Sequence, residues 1–263
     1  MYTALVRPNL SKPKALSCTL SVVNKLKEYG ITPIVCDVSV DDVEFTSLED
    51  ATQKCDFVIV IGGDGTIIHN AKLAIKKPLL GVNVGTLGFM TELECTDLHK
   101  LKRLAEGRFS VEKRMMLNVN SKLCLNDVVI SNGFRIIDLD VFCDDKFIAT
   151  YRADGIIIAT PTGSTAYSLS AGGPIVEPCI NSIILTPICP HSLSTRPVIF
   201  ADNHTLRIVP SKNNINDVYA TLDGIDYKEK VDEIVIKKSD SFAQLISLND
   251  TSFYEAITNK FSK

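Results

Sequence analysis

The stretch Asp56-Phe57-Val58-Ile59-Val60-Ile61-Gly62-Gly63-Asp64-Gly65-Thr66 decides the fold. Its first half is an apolar run without alternation, the pattern of a strand buried on both faces in the middle of a parallel sheet. Its second half sets three glycines around one aspartate, so the backbone can approach a ligand while helix-terminal N–H groups face an anion. Residues 66–77 then carry helical periodicity. Strand, tight turn and helix follow one another, which is the start of a βαβ unit.

Working outward, residues 2–6 and 32–38 read as strands. Between them Leu16, Leu20, Val23 and Leu26 are expected on one helical face, with Gly30 as the stop. Residues 79–84 are a further short buried strand, and 97–106 a helix ending at Gly107. After Phe109 the texture changes to strand-like runs at 110–120, 128–131, 139–143, 146–150 and 155–160, continuing at 205–210, 218–223 and 233–238. Asp144-Asp145 sits between two of them as a hairpin turn. The expected organisation is an α/β domain over 1–107, a β-rich domain over 108–241, and a tail, 242–263, that packs back onto the first domain.

Composition narrows the function. With 31 acidic against 28 basic side chains the net charge is −3, and no basic run exists to grip a nucleic acid or a membrane surface. Glu177 is the one formally charged residue from Gly155 to Thr195, but five prolines and many hydroxyls interrupt that stretch, so it is not a spanning helix. Eight cysteines without a CxxC or a tight cluster read as free thiols in a reducing cytoplasm, and a tetrahedral zinc site is not expected. The first residues show no signal segment and read as a strand.

Several segments carry chemistry. The Gly62–Thr66 loop suits a phosphate, although neither GxxxxGK[ST] nor GxGxxG occurs in the chain. Asp64 is either a helix cap or an acid on a bare loop, able to accept a hydroxyl proton or to hold Mg²⁺. The run Thr160-Pro161-Thr162-Gly163-Ser164-Thr165-Ala166-Tyr167-Ser168 offers six hydroxyls in nine residues. Such a run is either a Ser/Thr-rich loop or a neutral hydrogen-bonding surface for a heterocycle such as a purine, with an aromatic ring to pack on it. In Leu125-Asn126-Asp127-Val128 an amide and a carboxylate are adjacent. Neighbouring strand residues point to opposite faces, so both reach one ligand only through a bulge or a turn; they are also ordinary turn residues. Arg152 and Asp154 read as an ion pair at the start of a strand or as ligand contacts. Asp223-Gly224 reads as a hairpin turn, and His69 as a packing or surface residue.

Taken in order and spacing, VIGGDGT, NVGTLGF, LNDVVI, RADG and TPTGSTAYSLSAGGPIV resemble the NAD kinase family. GGDGT alone is shared with diacylglycerol and sphingosine kinases; TPTGSTAY decides between them. The resemblance implies an N-terminal α/β (Rossmann-like) domain with a C-terminal β-sandwich domain that binds NAD. It implies transfer of phosphate from ATP, or for some members polyphosphate, to the 2′-hydroxyl of the adenosine ribose of NAD, giving NADP, with Mg²⁺ or another divalent cation. Carried over by residue, Asp64 takes the hydroxyl proton, and Gly62, Gly63, Gly65 and Thr66 shape the loop. Phe89 lines the nucleotide cleft, Asn126 and Asp127 match the family's Asn-Glu pair that holds the dinucleotide, and Thr162, Thr165, Ala166 and Tyr167 match positions around adenine and its ribose. Arg152, Asp154 and Asp223 are further nucleotide-binding candidates, and no dedicated metal ligand is assigned. Asp127 is one methylene shorter than the usual Glu, which changes its reach by about 1.5 Å. Family members are usually homodimers or homotetramers. The rival readings are a lipid or other small-molecule kinase, which requires an apolar groove, and a dinucleotide-binding regulator without catalysis, which does not require Asp64.

Overall fold

The computed structural model describes residues 1–85, 88–133, 135–212, 217–230, 232–248 and 253–261. The chain divides into two units: Met1–Lys113 with Ala243–Lys263, and Arg114–Phe242.

The first unit contains β1 (Thr3–Pro8), α1 (Ala15–Glu28), β2 (Thr32–Val35), β3 (Glu44–Phe45), α2 (Leu48–Lys54), β4 (Phe57–Gly62), α3 (Asp64–His69), α4 (Ala71–Lys76), β5 (Leu79–Asn83), β6 (Leu93–Glu94) and α5 (Lys102–Ala105). Five strands form a parallel sheet in the order β5-β4-β1-β2-β3. All six residues of β4 are buried, as its unalternated sequence requires of a strand covered on both faces. The buried stripe of α1 is Ala15, Cys18, Thr19, Val22, Val23 and Leu26. Leu16 and Leu20, expected on that face, are exposed because they lie one residue, about 100° of helix rotation, off the stripe.

The expected helix over 66–77 is two short helices, broken at Asn70. The Asn70 amide donates to the Thr66 carbonyl at 2.8 Å and accepts from Arg7 Nη1 at 2.7 Å, while Asp37 holds the same guanidinium through Nε at 2.6 Å. A side chain that bonds backbone in this way competes with helix continuation. The 97–106 segment likewise splits into a 3-10 turn, Leu98–Leu101, and α5. One expectation for the cysteines is corrected: Cys18 and Cys95, 77 residues apart, form a disulfide, and the other six are free. The buried face of α1 carries Cys18 to the segment after β6, a tertiary contact that cysteine spacing does not reveal.

The second unit takes over within β7 (Ser110–Val119) and continues through β8 (Lys122–Cys124), β9 (Asp127–Ser131), β10 (Ile137–Cys143), β11 (Lys146–Ala153), β12 (Gly155–Ala159), α6 (Tyr167–Ser170), β13 (Ser182–Ile188), β14 (Val198–Ala201), β15 (Leu206–Pro210), β16 (Tyr219–Leu222) and β17 (Ile225–Lys230). Asp144 and Asp145 both take positive φ, 47° and 62°, closing the β10–β11 hairpin with a two-residue loop of the type Asp favours. One antiparallel sheet runs β14-β13-β12-β9-β16-β17. A second contains β11-β10-β15, and residues from both sheets share one core, including Val128, Ile130, Ile156 and Ile158 with Leu139, Val141, Leu206 and Ile208. This is a β-sandwich. β12 is buried on both faces, because Ile157 and Ala159 pack on Val176 and Ile184 on the side away from that core.

The expected strand at 233–238 does not stop there. β18 (Ile234–Ser247) is a single 14-residue strand that leaves the second unit and enters the first. Ile234 and Ile236 pair with β15; Leu245 pairs in parallel with Leu79 of β5. Gln244 donates to the Ile75 carbonyl at 3.2 Å and the Leu248 N–H to Glu92 at 2.7 Å, before α7 (Phe253–Phe261). Among the described residues no helix is long and apolar enough to cross a membrane.

Candidate active site

In the first unit the glycine loop forms where β4 passes into α3. Gly62 is required by close approach: a Cβ there would lie 2.0 Å from the Thr66 hydroxyl. Asn9, just past β1, donates its side-chain amide to that hydroxyl at 3.3 Å. Asp64 is the first residue of α3, and Gly63 stands at the cap position with extended backbone. Asp64 therefore does not cap the helix. Its carboxylate faces the segment Gly88–Thr91. Oδ2 accepts the Phe89 N–H at 2.7 Å, and Oδ1 accepts the Met90 and Thr91 N–H groups at 3.1 and 3.2 Å.

A Cβ on Gly88 would sit 1.9 Å from Asp64 Oδ1, so only glycine lets this segment close on the acid. Phe89, singled out by sequence, serves Asp64 through its backbone; Met90 and Thr91 were not singled out, since main-chain donors leave no residue-type signal. Thr86 and Leu87 of the NVGTLGF stretch lie outside the described residues. With one N–H bond, Oδ2 retains the capacity to accept a hydroxyl hydrogen bond. Gly65 is exposed beside it and His69 is exposed at the end of α3.

In the second unit three sequence motifs meet. Thr160 binds the LND segment twice, its hydroxyl donating to the Leu125 carbonyl at 2.6 Å and its N–H to the Asn126 carbonyl at 2.8 Å. Gly163 presses on the same residue: a Cβ there would lie 2.1 Å from the Asn126 carbonyl oxygen. From another element, the Asp223 carboxylate accepts the N–H groups of Leu125, Asn126 and Asp127 at 2.8, 2.7 and 3.3 Å. Asn126 and Asp127 are both buried, and Asn126 Oδ1 has no donor from the described residues. Leaving such an acceptor unmet costs about 1–3 kcal/mol, so the site suits a ligand that brings an N–H. Burial, and then the charge of Asp223, pushes the Asp127 carboxyl up to about 7. Burial likewise pushes the Cys124 thiol well above the usual range.

The TPTGSTAY run forms a 3-10 turn, Thr162–Thr165, followed by α6. Its hydroxyls turn inward. Ser164 donates to the Pro161 carbonyl at 2.6 Å, Thr165 to the Thr162 carbonyl at 3.3 Å, and Ser168 shares a 2.8 Å bond with Thr186. With Thr160, four of the six hydroxyls thus build the loop itself, while the Tyr167 ring is 46% exposed. Thr162 is buried and Ala166 half-buried. Arg152 pairs with Asp138 at 3.8 Å, and Asp154 is exposed two residues on. Elsewhere in this unit Cys143, Asp144 and His204 bring a thiol, a carboxylate and an imidazole within 4.8 Å. There the carboxylate is already engaged by the His204 ring at 2.6 Å and the Thr205 N–H at 3.0 Å.

The sequence and the fold resemble those of known proteins. Residues 5–109 match the family ATP-NAD kinase N-terminal domain and residues 125–248 the family ATP-NAD kinase C-terminal domain. The chain is 38% identical to an NAD kinase of Caldanaerobacter subterraneus subsp. tengcongensis, with 98% of each chain covered. Among solved structures it resembles yeast NADH kinase complexed with NADH, with a TM-score of 0.88 and 26% identity over 100% of this chain and 88% of that one. It also resembles an NAD kinase from Archaeoglobus fulgidus in complex with ATP, with a TM-score of 0.79 and 25% identity over 98% of both chains. Two domain matches in the right order and a relative of this identity over nearly the full length establish that the chain belongs to the NAD kinase family.

Proposed function

We propose that the protein is an ATP-dependent NAD kinase that phosphorylates the 2′-hydroxyl of the adenosine ribose of NAD to give NADP. The observation that carries this reading is the unpaired, buried Asn126 Oδ1, set between Thr160 and Asp223 in a segment whose backbone is bonded from both sides. Adenine carries an exocyclic amine that meets such an acceptor. Tyr167 supplies a ring to pack beside it, with Thr162, Thr165 and Ala166 around the ribose and Asp127 as acceptor for ribose hydroxyls. Arg152 and Asp154 are the charged candidates on the same unit.

In the reaction the 2′-oxygen attacks the terminal phosphorus of ATP, the bond from that phosphorus to the ADP oxygen breaks, and the 2′-hydroxyl proton passes to Asp64 Oδ2. Gly62, Gly63, Gly65 and Thr66 shape the loop, and the N–H groups of Phe89, Met90 and Thr91 fix the orientation of the carboxylate. Most of the remaining catalysis in phosphoryl transfer is alignment and charge neutralisation. A divalent cation such as Mg²⁺ would be held mainly by the phosphates, the usual mode at nucleotide sites, with Asp64 as the carboxylate this loop offers. Its charge would offset that of the transferring group. Polyphosphate offers the same reacting phosphoryl group as an alternative donor.

A homodimer or homotetramer in the cytoplasm completes the reading. Exposed Phe147 and Ile148 on β11 and Ile199 on β14 put apolar surface on edge strands, which favours burial against a second copy. The test is incubation of the purified chain with NAD⁺, ATP and Mg²⁺, with NADP⁺ detected by an NADP-specific dehydrogenase. Asp64→Asn is expected to lose about a hundredfold to ten-thousandfold in kcat. Absence of NADP⁺ with ATP and with polyphosphate, despite measurable NAD⁺ binding, would leave a dinucleotide-binding regulator instead.

A further inference from the structure

We propose that Asp223 is a positioning residue that shapes the dinucleotide grip, holding Leu125 and Asn126 in the bend that leads into β9 at Asp127, without touching NAD itself. The inference rests on the NAD kinase reading and assigns the part played by one of its residues.

Asp223 and Gly224 form the two-residue loop between β16 and β17, with positive φ at both, 53° and 67°. An aspartate at such a turn ordinarily bonds its own loop. This one reaches another element. β16 lies antiparallel to β9, with Leu222 opposite Val128, so the residue after β16 falls beside the start of β9. There Oδ2 accepts the Leu125 N–H, and Oδ1 accepts the Asn126 and Asp127 N–H groups together with the Cys124 thiol at 3.1 Å. The Asp223 N–H donates back to the Asp127 carbonyl at 2.9 Å, and the Cys124 thiol also lies 2.8 Å from that carbonyl.

Successive N–H groups in a strand point to opposite sides, so three in a row cannot converge on one carboxylate unless the backbone leaves the strand conformation. That departure is the turn that two adjacent residues need if both are to serve one ligand. With both oxygens turned toward main-chain donors of this one segment, the Asp223 carboxylate acts through Asn126 and Asp127. It has a second effect: its charge stands beside the buried Asp127 carboxyl and adds to the rise that burial causes there, and both carboxyl groups in turn raise the neighbouring Cys124 thiol.

The experiment measures NAD⁺ affinity by calorimetry across pH for the full chain and for Asp223→Asn, with KM for each substrate and kcat alongside. Three charge-assisted bonds to the grip are weakened in the variant, so NAD⁺ affinity should fall about ten- to a hundredfold. KM for NAD⁺ should rise with it, while KM for ATP stays within about twofold. The midpoint of the affinity profile should move to lower pH by an amount on the order of one unit, since Asp127 loses a neighbouring charge.

Weakened affinity with an unmoved midpoint would mean direct contact between Asp223 and NAD and would overturn the proposal, as would a variant identical to the native chain. Should Asp223→Asn fail to fold, native-state amide exchange decides: slow exchange at Leu125, Asn126 and Asp127 supports the cradle, and exchange at unprotected rates refutes it. If the native chain does not bind NAD⁺, the kinase reading itself fails, and slow exchange at the three amides would still leave the cradle standing.

Discussion

Asp64 in the α/β unit and Asp223 in the β-sandwich unit use the same local device, a carboxylate that gathers three successive backbone N–H groups. Phe89, Met90 and Thr91 serve the first; Leu125, Asn126 and Asp127 serve the second. They differ in what surrounds the carboxylate. Oδ2 carries one N–H bond in each, but Oδ1 of Asp223 also takes a thiol, and a second, buried carboxyl group stands beside it. One arrangement leaves an acid able to react; the other uses its acid to shape a neighbour. A carboxylate cradled by main-chain donors is therefore not by itself a catalytic group, and the groups packed around it are what separate the two cases.

The contrast is most exposed to test at the glycines that permit each close approach. Gly88→Ala would drive a methyl group into the Asp64 carboxylate, and a misplacement near 1 Å costs about a hundredfold in rate, so kcat should fall at least that far with NAD⁺ affinity kept. Gly163→Ala presses on Asn126 instead and should weaken NAD⁺ binding first. Steady-state kinetics beside calorimetry separate the two, and matching losses in both quantities for both variants would erase the distinction between the units.

The cores allow a second comparison. Ile59→Ala in β4 and Ile158→Ala in β12, both fully buried, should each cost about 2–5 kcal/mol in denaturant unfolding. Should the two units unfold separately, each substitution will shift only its own transition. The Cys18–Cys95 disulfide closes a long loop in the first unit alone. Cys18→Ser with Cys95→Ser should then lower the stability of that unit by about 2–4 kcal/mol under oxidising conditions, and by much less in excess reductant. Equal losses in both conditions would mean that the pair matters through packing.

A smaller effect should follow pH. The Asp127 carboxyl titrates at about 7 in the folded chain, against about 4 in an unfolded one. Between those values the folded state keeps a proton that the unfolded state has released, so its contribution to stability is full below pH 4 and is lost as pH rises toward 7. The melting temperature of Asp127→Asn should lack this descending component. Identical profiles for the two chains would show that Asp127 is not held neutral. Smallest of all is the Ser47 cap of α2, whose hydroxyl accepts the Asp50 N–H at 3.1 Å. Ser47→Ala should cost about 1 kcal/mol, in the first unit only.

What could be read in advance differed between the units for a physical reason. In the first, β4 and the glycine loop are contiguous, so an unbroken apolar run followed by GGDGT states both the element and the site. The segment that holds Asp64 was legible only at Phe89, because Met90 and Thr91 act through backbone N–H groups that every non-proline residue possesses. In the second unit LND, TPTG and LDG were each visible and each had an ordinary turn reading. Their meeting was not visible, since β9, β12 and β16 are neighbours in a sheet but far apart in sequence. The hydroxyls of TPTGSTAY illustrate the same limit: their number was plain, while the inward bonds of Thr160, Ser164, Thr165 and Ser168 depend on which carbonyls the fold brings near.

Local periodicity, glycine placement and motif order, all properties of neighbours along the chain, were enough to determine the α/β start, the change to strands after Phe109 and the family. Tertiary structure alone decided that Leu16 and Leu20 face solvent, that Cys18 meets Cys95, that one 14-residue strand carries the chain from the second unit into the first, and that Asp223 turns toward Asn126. Each of those outcomes is a choice of partner across a long sequence separation. Such choices are made by packing and by the need to satisfy buried polar groups, which no window of neighbouring residues contains.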